Sequence, residues 1–167
     1  KVVLLGCDTL RTRLTDLAGS EYLQLAHGIV AGRPSINLAL EVRVQDLCRR
    51  AIKDGILTSA HDCSDGGLAV ALSECCIPKE VGFRGHDSLS HLPRRWDAAI
   101  FGERQSRIVV SMPNNKWPRL ERLATALGVP TLDLGTTGGN RFILGRHLDI
   151  SLNDIKDAWV NGMEQLS

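Results

Sequence analysis

Apolar positions recur along this chain in two rhythms, one of helices and one of strands. Val2-Val3-Leu4-Leu5 is an unbroken apolar run of strand length and reads as a buried strand. Leu40, Val44, Leu47 and Ala51 fall at i, i+4, i+7 and i+11 among basic residues, which predicts an amphipathic helix stopped by Gly55. Leu68, Leu72 and Cys75 mark the apolar side of another helix. A further helix starts near Pro118, carries Leu120, Leu123 and Leu127, and ends at Gly128. Ser151 and Asp154 resemble a capping box ahead of a terminal stripe of Ile155, Trp159 and Met163. Short strands are predicted at Ile56–Ala60, Val81–Phe83, Ile108–Met112, Thr131–Leu134 and Arg141–Leu144, with Thr136 to Asn140 joining the last two as a tight hairpin. Asp8 to Leu17 reads as a polar connection, and Arg84 to Ala99, which carries Pro93, as a loop with about one helical turn. Strands and helices mixed in this order predict an α+β fold, a single mixed β-sheet covered by helices.

Composition narrows the reading. With 167 residues, 43% hydrophobic and 23% charged, the chain suffices for one core, so a single domain over residues 1–167 is expected. A formal charge of +1 supplies no basic face for nucleic acid or an anionic membrane. No apolar run is long enough to cross a bilayer, and the expected location is the cytoplasm. The five cysteines (Cys7, Cys48, Cys63, Cys75 and Cys76) show no C-x2-C spacing and are expected to be reduced. The chain opens on Lys1 and runs straight into a strand, so it is expected to be a piece of something longer.

Candidate chemistry concentrates in three places. His61-Asp62-Cys63-Ser64-Asp65-Gly66-Gly67 lies between a predicted strand and a helix start, where glycine N–H groups and the helix dipole can cradle a phosphate. Ser64 or Asp65 capping the helix accounts for the same residues. Asp62 and Asp65 suit a Mg²⁺ ion bridging to phosphate or plain solvation, and His61 has no nucleophile at a readable spacing. Phe101 to Arg107 is dense in polar groups, with Glu103, Gln105 and Arg107 as pocket candidates and Arg104 or Arg107 as a forked cation; an exposed, salt-bridged strand entry explains it equally. Gly19 and Ser20 open a short helix that Gly28 closes, a geometry that serves an anion or simply a cap. No catalytic residue is assigned, and no metal ligand is identified.

The order of these blocks carries a family resemblance. Gly19-Ser20-Glu21-Tyr22-Leu23 through His27-Gly28, Ser59-Ala60-His61-Asp62-Cys63-Ser64-Asp65-Gly66-Gly67-Leu68-Ala69, Phe101-Gly102-Glu103-Arg104-Gln105-Ser106-Arg107, and Leu134-Gly135 through Gly139-Asn140-Arg141 together resemble the phosphoribosylformylglycinamidine synthase family over nearly the whole chain. The match is to a C-terminal-type domain of that enzyme's second half, with a fold resembling the C-terminal domain of aminoimidazole ribonucleotide synthase. The resemblance implies a ligase of purine biosynthesis that uses ATP and Mg²⁺. It activates formylglycinamide ribonucleotide as an iminophosphate, and glutamine-derived ammonia displaces the phosphate. It also implies N-terminal-type and first-half partner domains and a glutaminase domain or subunit. The chain alone is then expected to be inactive, and to self-associate or need a neighbour. Two positions depart from the family pattern: Arg104 stands where a serine is usual, and Ala18 replaces the first of a common Gly-Gly pair. An auxiliary nucleotide site or a structural interface is the alternative role of these loops.

Overall fold

The computed structural model describes residues 1–10, 14–92 and 94–162. In chain order the elements are β1 (Val2–Leu5), α1 (Glu21–His27), α2 (Leu38–Lys53), β2 (Ser59–Asp62), α3 (Gly67–Cys76), β3 (Phe83–Gly85), α4 (Trp96–Phe101), β4 (Ile108–Ser111), α5 (Trp117–Leu127), β5 (Thr131–Thr137), β6 (Arg141–Leu144), β7 (Leu148–Ser151) and α6 (Leu152–Asn161). Short 3-10 turns occupy Leu14–Leu17, Asp87–His91 and Asn114–Lys116. The strands form one mixed sheet in the order β2-β4-β1-β5-β3-β6-β7. Its pairs are antiparallel except β3 with β6, so the expected α+β architecture is the one found.

The apolar run of β1 works because the strand is buried on both faces. Val2 and Leu4 enter one core with Leu68 and Leu72 of α3, Ile100 of α4, Phe83 and Phe142. Val3 and Leu5 point the other way, into a core with Val44, Leu47 and Ala51 of α2 and Leu120 and Ala124 of α5. Alternation with period two thus divides one strand between two helical layers. Full burial of each such aliphatic side chain favours the fold by about 1.5–3 kcal/mol. The stripes predicted for α2 and α5 are the buried faces, and the stops fall where expected, with Gly55 and Gly128 both in the left-handed region.

Several local expectations shift. Ile56 is buried but precedes its strand, which consists of the polar Ser59–Asp62 paired along β4. Val81 lies outside β3, which runs over Phe83–Gly85. On α3 the buried cysteine is Cys76, one turn beyond Leu72, and Cys75 faces solvent. The stretch from Arg84 to Ala99 holds the turn Asp87–His91 and the start of α4, whose six residues are too few to display a helical period. Pro93 and Met163 lie outside the described residues. In the last helix the Ser151 hydroxyl accepts from the Asp154 N–H at 3.1 Å, Ile155 packs on the first core, and Trp159 stays exposed.

The predicted hairpin does not form. β3 lies between β5 and β6, antiparallel to the first and parallel to the second. Gly82 makes this possible: its N–H donates to Gly139 O at 2.9 Å, its carbonyl accepts from Gly138 N–H at 2.8 Å, and a Cβ there would lie 2.3 Å from Arg141 O. A residue with a side chain could not pass that close beneath the turn.

Candidate functional site

Three segments far apart in the chain meet at one carboxylate. Glu103 sits in the loop between α4 and β4, and its Oε1 accepts the N–H of Glu21 and the N–H of Gly66, each at 2.9 Å. Glu21 is the first residue of α1 and Gly66 is the N-cap of α3. Unpaired donors at the starts of two helices therefore share one anion, an arrangement favoured by charge-assisted bonding and by the helix dipoles. The loop is fastened from below as well. Glu103 N–H donates to Asp16 O at 3.1 Å, and Arg104 Nε lies 3.7 Å from the Asp16 carboxylate. Arg107 is buried and folds its guanidinium back onto the carbonyls of Gly102 and Arg104, and burial pulls it below the ordinary arginine range. It braces the loop and does not reach out as a fork.

The glycine turn is built for close approach. Gly66 and Gly67 both have positive φ, +73° and +65°, and a Cβ on Gly67 would lie 2.6 Å from Gly102 O. The N-terminus of α3 thus rests directly on the backbone at the end of α4. Gly67 N–H donates to Ser64 O at 3.0 Å, so both glycine N–H groups already have partners within the chain. The side chains of Ser64 and Asp65 do not cap α3. Instead the Ser64 hydroxyl donates to Asp62 at 2.5 Å, and chiefly for that reason the Asp62 carboxyl titrates below its ordinary range. His61 Nδ1 lies 2.7 Å from Asp62 O, and its Nε2 lies 3.3 Å from Glu74. Ser20 is buried; its hydroxyl donates to Leu17 O at 2.9 Å and accepts from Leu23 N–H at 3.2 Å, which commits it to capping α1. Gly19 N–H donates to Ala31 O at 2.9 Å.

Two polar cavities flank the 103–106 loop. One, of about 440 Å³, brings Asp62, Ser64, Asp65, Glu103, Gln105 and Arg107 to one space. Six candidates from two motif blocks thus converge there, while His61, Gly66 and Gly67 stand outside its lining. The other, of about 240 Å³, lies between this loop and the segment leading into α2, where Pro34, Asn37 and Leu40 form its wall. Among the described residues no three His, Cys, Asp or Glu side chains converge as a metal site; Asp62 and Asp65 both face the larger cavity, with the Asp62 carboxylate taken up by the Ser64 hydroxyl. Cys63 also lines the larger cavity, and burial pushes its thiol up to about 11, against the opposing pull of Arg107. A thiol so raised is held protonated at neutral pH, the form that packs and does not attack.

Sequence reasoning passed over Asp16, Glu74 and Ser106. Asp16 is buried and anchors the loop through both its carbonyl and its carboxylate, yet in sequence it is one acidic residue in a polar connection. Ser106 is buried with a φ of +64°, a strained conformation for a residue other than glycine. No local signal in the sequence marks either one.

The family follows from this fold together with the sequence. Residues 2–142 match the model for the AIR synthase related protein, C-terminal domain, and the chain belongs to that family. Within it, the chain is 43% identical over 165 residues to a phosphoribosylformylglycinamidine synthase subunit PurL from Thermomicrobium roseum, covering 98% of this chain and 22% of that relative. It is also 51% identical over 113 residues to the PurL subunit of a Synechococcus species, covering 66% of this chain and 14% of that one. The chain therefore spans about a fifth of the length of such relatives. Among solved structures, T. maritima PurL complexed with FGAR superposes with a TM-score of 0.72 at 18% identity, covering 93% of this chain and 27% of that one. Hydrogenase maturation protein HypE shares the fold more loosely, with a TM-score of 0.55 at 11% identity over 90% of this chain and 52% of that one.

Proposed function

We propose that this chain is a C-terminal-type domain, from the second half, of a phosphoribosylformylglycinamidine synthase. The parent enzyme uses ATP and glutamine-derived ammonia to convert formylglycinamide ribonucleotide to formylglycinamidine ribonucleotide in purine biosynthesis. The observation that carries this reading is the 43% identity to a PurL subunit over 98% of the chain. The meeting of three motif blocks at Glu103 supports it. T. maritima PurL has been seen complexed with ATP and, in another structure, as PurLQS, which fits an ATP-dependent enzyme of several components. In the parent, the partners of this domain are an N-terminal-type synthase domain, the first-half repeat, and a glutaminase domain or subunit, all in the cytoplasm.

Within that enzyme the chain's own residues position and orient. Glu103 holds the starts of α1 and α3 at a fixed distance, so the cavity between Asp62 and Gln105 keeps its shape when ligand arrives. ATP supplies phosphoryl activation of the amide oxygen when bound. As the family resemblance implies, most of the magnesium-binding carboxylates belong to the N-terminal-type domains of the parent, and the isolated chain is inactive. The test is ADP formation by the parent polypeptide, dependent on formylglycinamide ribonucleotide and ammonium. Glu103→Ala is expected to lower kcat/KM by roughly tenfold or more, equivalent to about 1.4 kcal/mol. A parent protein without that activity overturns the reading.

The internal pairing of the Gly66 and Gly67 N–H groups favours a second reading, a domain that supports an active site elsewhere in the parent. Titration with ATP, ADP or formylglycinamide ribonucleotide separates the two. Amide shifts at Gly66, Gly67 and Ser20 mean a working ligand loop, and silence with an intact fold means a scaffold.

A further inference from the structure

One face of the molecule is apolar and uncovered. Leu25, Ile29, Val30, Ile36, Leu38 and Val42 are 49–78% exposed, and α1 has no buried residue at all. From Leu23 to Leu40 the only ionisable side chains are His27 and Arg33. Depletion of charge around large aliphatic side chains is the composition of an interface core and not of a solvated surface. The segment also has a fixed shape. Gly28 closes α1 through N–H bonds to Gln24 and Leu23 carbonyls, Gly19 N–H reaches Ala31 O at 2.9 Å, and Tyr22 stacks on Phe101 with ring centroids 4.8 Å apart. On α2, Leu38 and Val42 form a second apolar stripe opposite the buried Val44 and Leu47, which core packing within this chain does not explain.

We infer that this face, from Leu25 to Val42, is the seat of another domain of the same longer polypeptide. The inference rests on the functional reading above only in requiring that such a longer chain exists. Two observations select this occupant. The chain spans 22% of the PurL relative it matches, so proteins of this kind carry about four-fifths of their length in other parts. The face is also continuous with the wall of the smaller cavity: Pro34, Asn37 and Leu40 line that cavity from the same segment, opposite Glu103 and Arg104. A domain seated on the face roofs this polar space and closes it from solvent.

The experiment is thiol accessibility in the full-length polypeptide. Val30→Cys places a probe at a side chain 75% exposed, and Ile52→Cys, at the far end of α2 and 55% exposed, is the control. Neither substitution removes a packed side chain, and residues 21–43 contain no cysteine of their own, so mass spectrometry of that peptide reads maleimide addition without ambiguity. Expected is modification of Val30→Cys on the order of tenfold slower than Ile52→Cys, at every protein concentration, as for a side chain in an interface core. Equal rates in the purified full-length chain overturn the inference, because the face is then free or awaits a separate protein. Protection that disappears on dilution overturns it in favour of a second copy. Labelling does not depend on catalysis, so an active enzyme with an open face refutes the interface alone, and an inactive enzyme with a covered face refutes the functional reading alone.

Discussion

Replacing Glu103 by alanine removes the one acceptor shared by the starts of α1 and α3. Hydrogen bonds to a charged group contribute about 1.5–3 kcal/mol, and exposed ones less. The bond from Gly66 N–H is partly buried and that from Glu21 N–H is exposed, so the lower end applies to the first and a fraction of it to the second. The expected loss is about 2 kcal/mol, or roughly 4–8 °C in Tm for a domain of this size. Glu103→Gln keeps an acceptor without the charge and is expected to lose about half of that. Urea denaturation gives the totals, and amide hydrogen exchange locates them. In Glu103→Ala the segments 19–28 and 64–68 should lose protection together, while α2 and α5, in the opposite core, keep theirs. A total loss below about 0.5 kcal/mol, or loosening of only one segment, would show that Glu103 is not the tie between them.

The remaining predictions concern the glycine turn and its acidic neighbour. Gly67→Ala combines a φ of +65° with a Cβ 2.6 Å from the Gly102 backbone oxygen, so it should cost more than about 3 kcal/mol by urea denaturation; Gly128→Ala, at +62° with nothing within 4 Å, should cost only about 1. Equal costs would mean that contact with α4 is not what requires the glycine. Asp62 is held below its ordinary pKa chiefly by Ser64, so its contribution to stability is present above the unfolded carboxyl pKa and is lost as the pH falls through the lower folded value. Wild type and Ser64→Ala should therefore differ in urea midpoint at neutral pH and converge below the ordinary aspartate range, and a gap independent of pH would assign the effect to something other than Asp62.

Much of the local architecture was legible because it is written in local chemistry. The i, i+4 recurrence from Leu40 to Ala51, the Ser20 and Ser151 caps and the Gly28, Gly55 and Gly128 stops each act within a few residues, and each formed as expected. Failures came where the deciding partner was distant. Polar Ser59–Asp62 is a strand because β4 offers it an edge, whatever its own propensity. Thr131 and Arg141 head two strands that look like a hairpin, but β3 pairs between them because Gly82 admits the close backbone approach. The six residues of α4 complete less than two turns, and their burial depends on contact with α3.

The candidate site divides in the same way. The sequence alone determined the family resemblance, the strand-glycine-helix turn at Gly66-Gly67, and six of the polar residues now found around the larger cavity, but not Glu41, Gln45 or Ser106. Only the tertiary structure decided that Glu103 accepts from the N–H groups of both Gly66 and Glu21, that Arg107 turns inward, and that Leu25 to Val42 is left bare. The physical reason is range. Helix periods, caps and turns are set by neighbours along the chain, whereas a carboxylate 37 residues from one N–H and 82 from another finds both only after two cores have packed on opposite faces of one sheet.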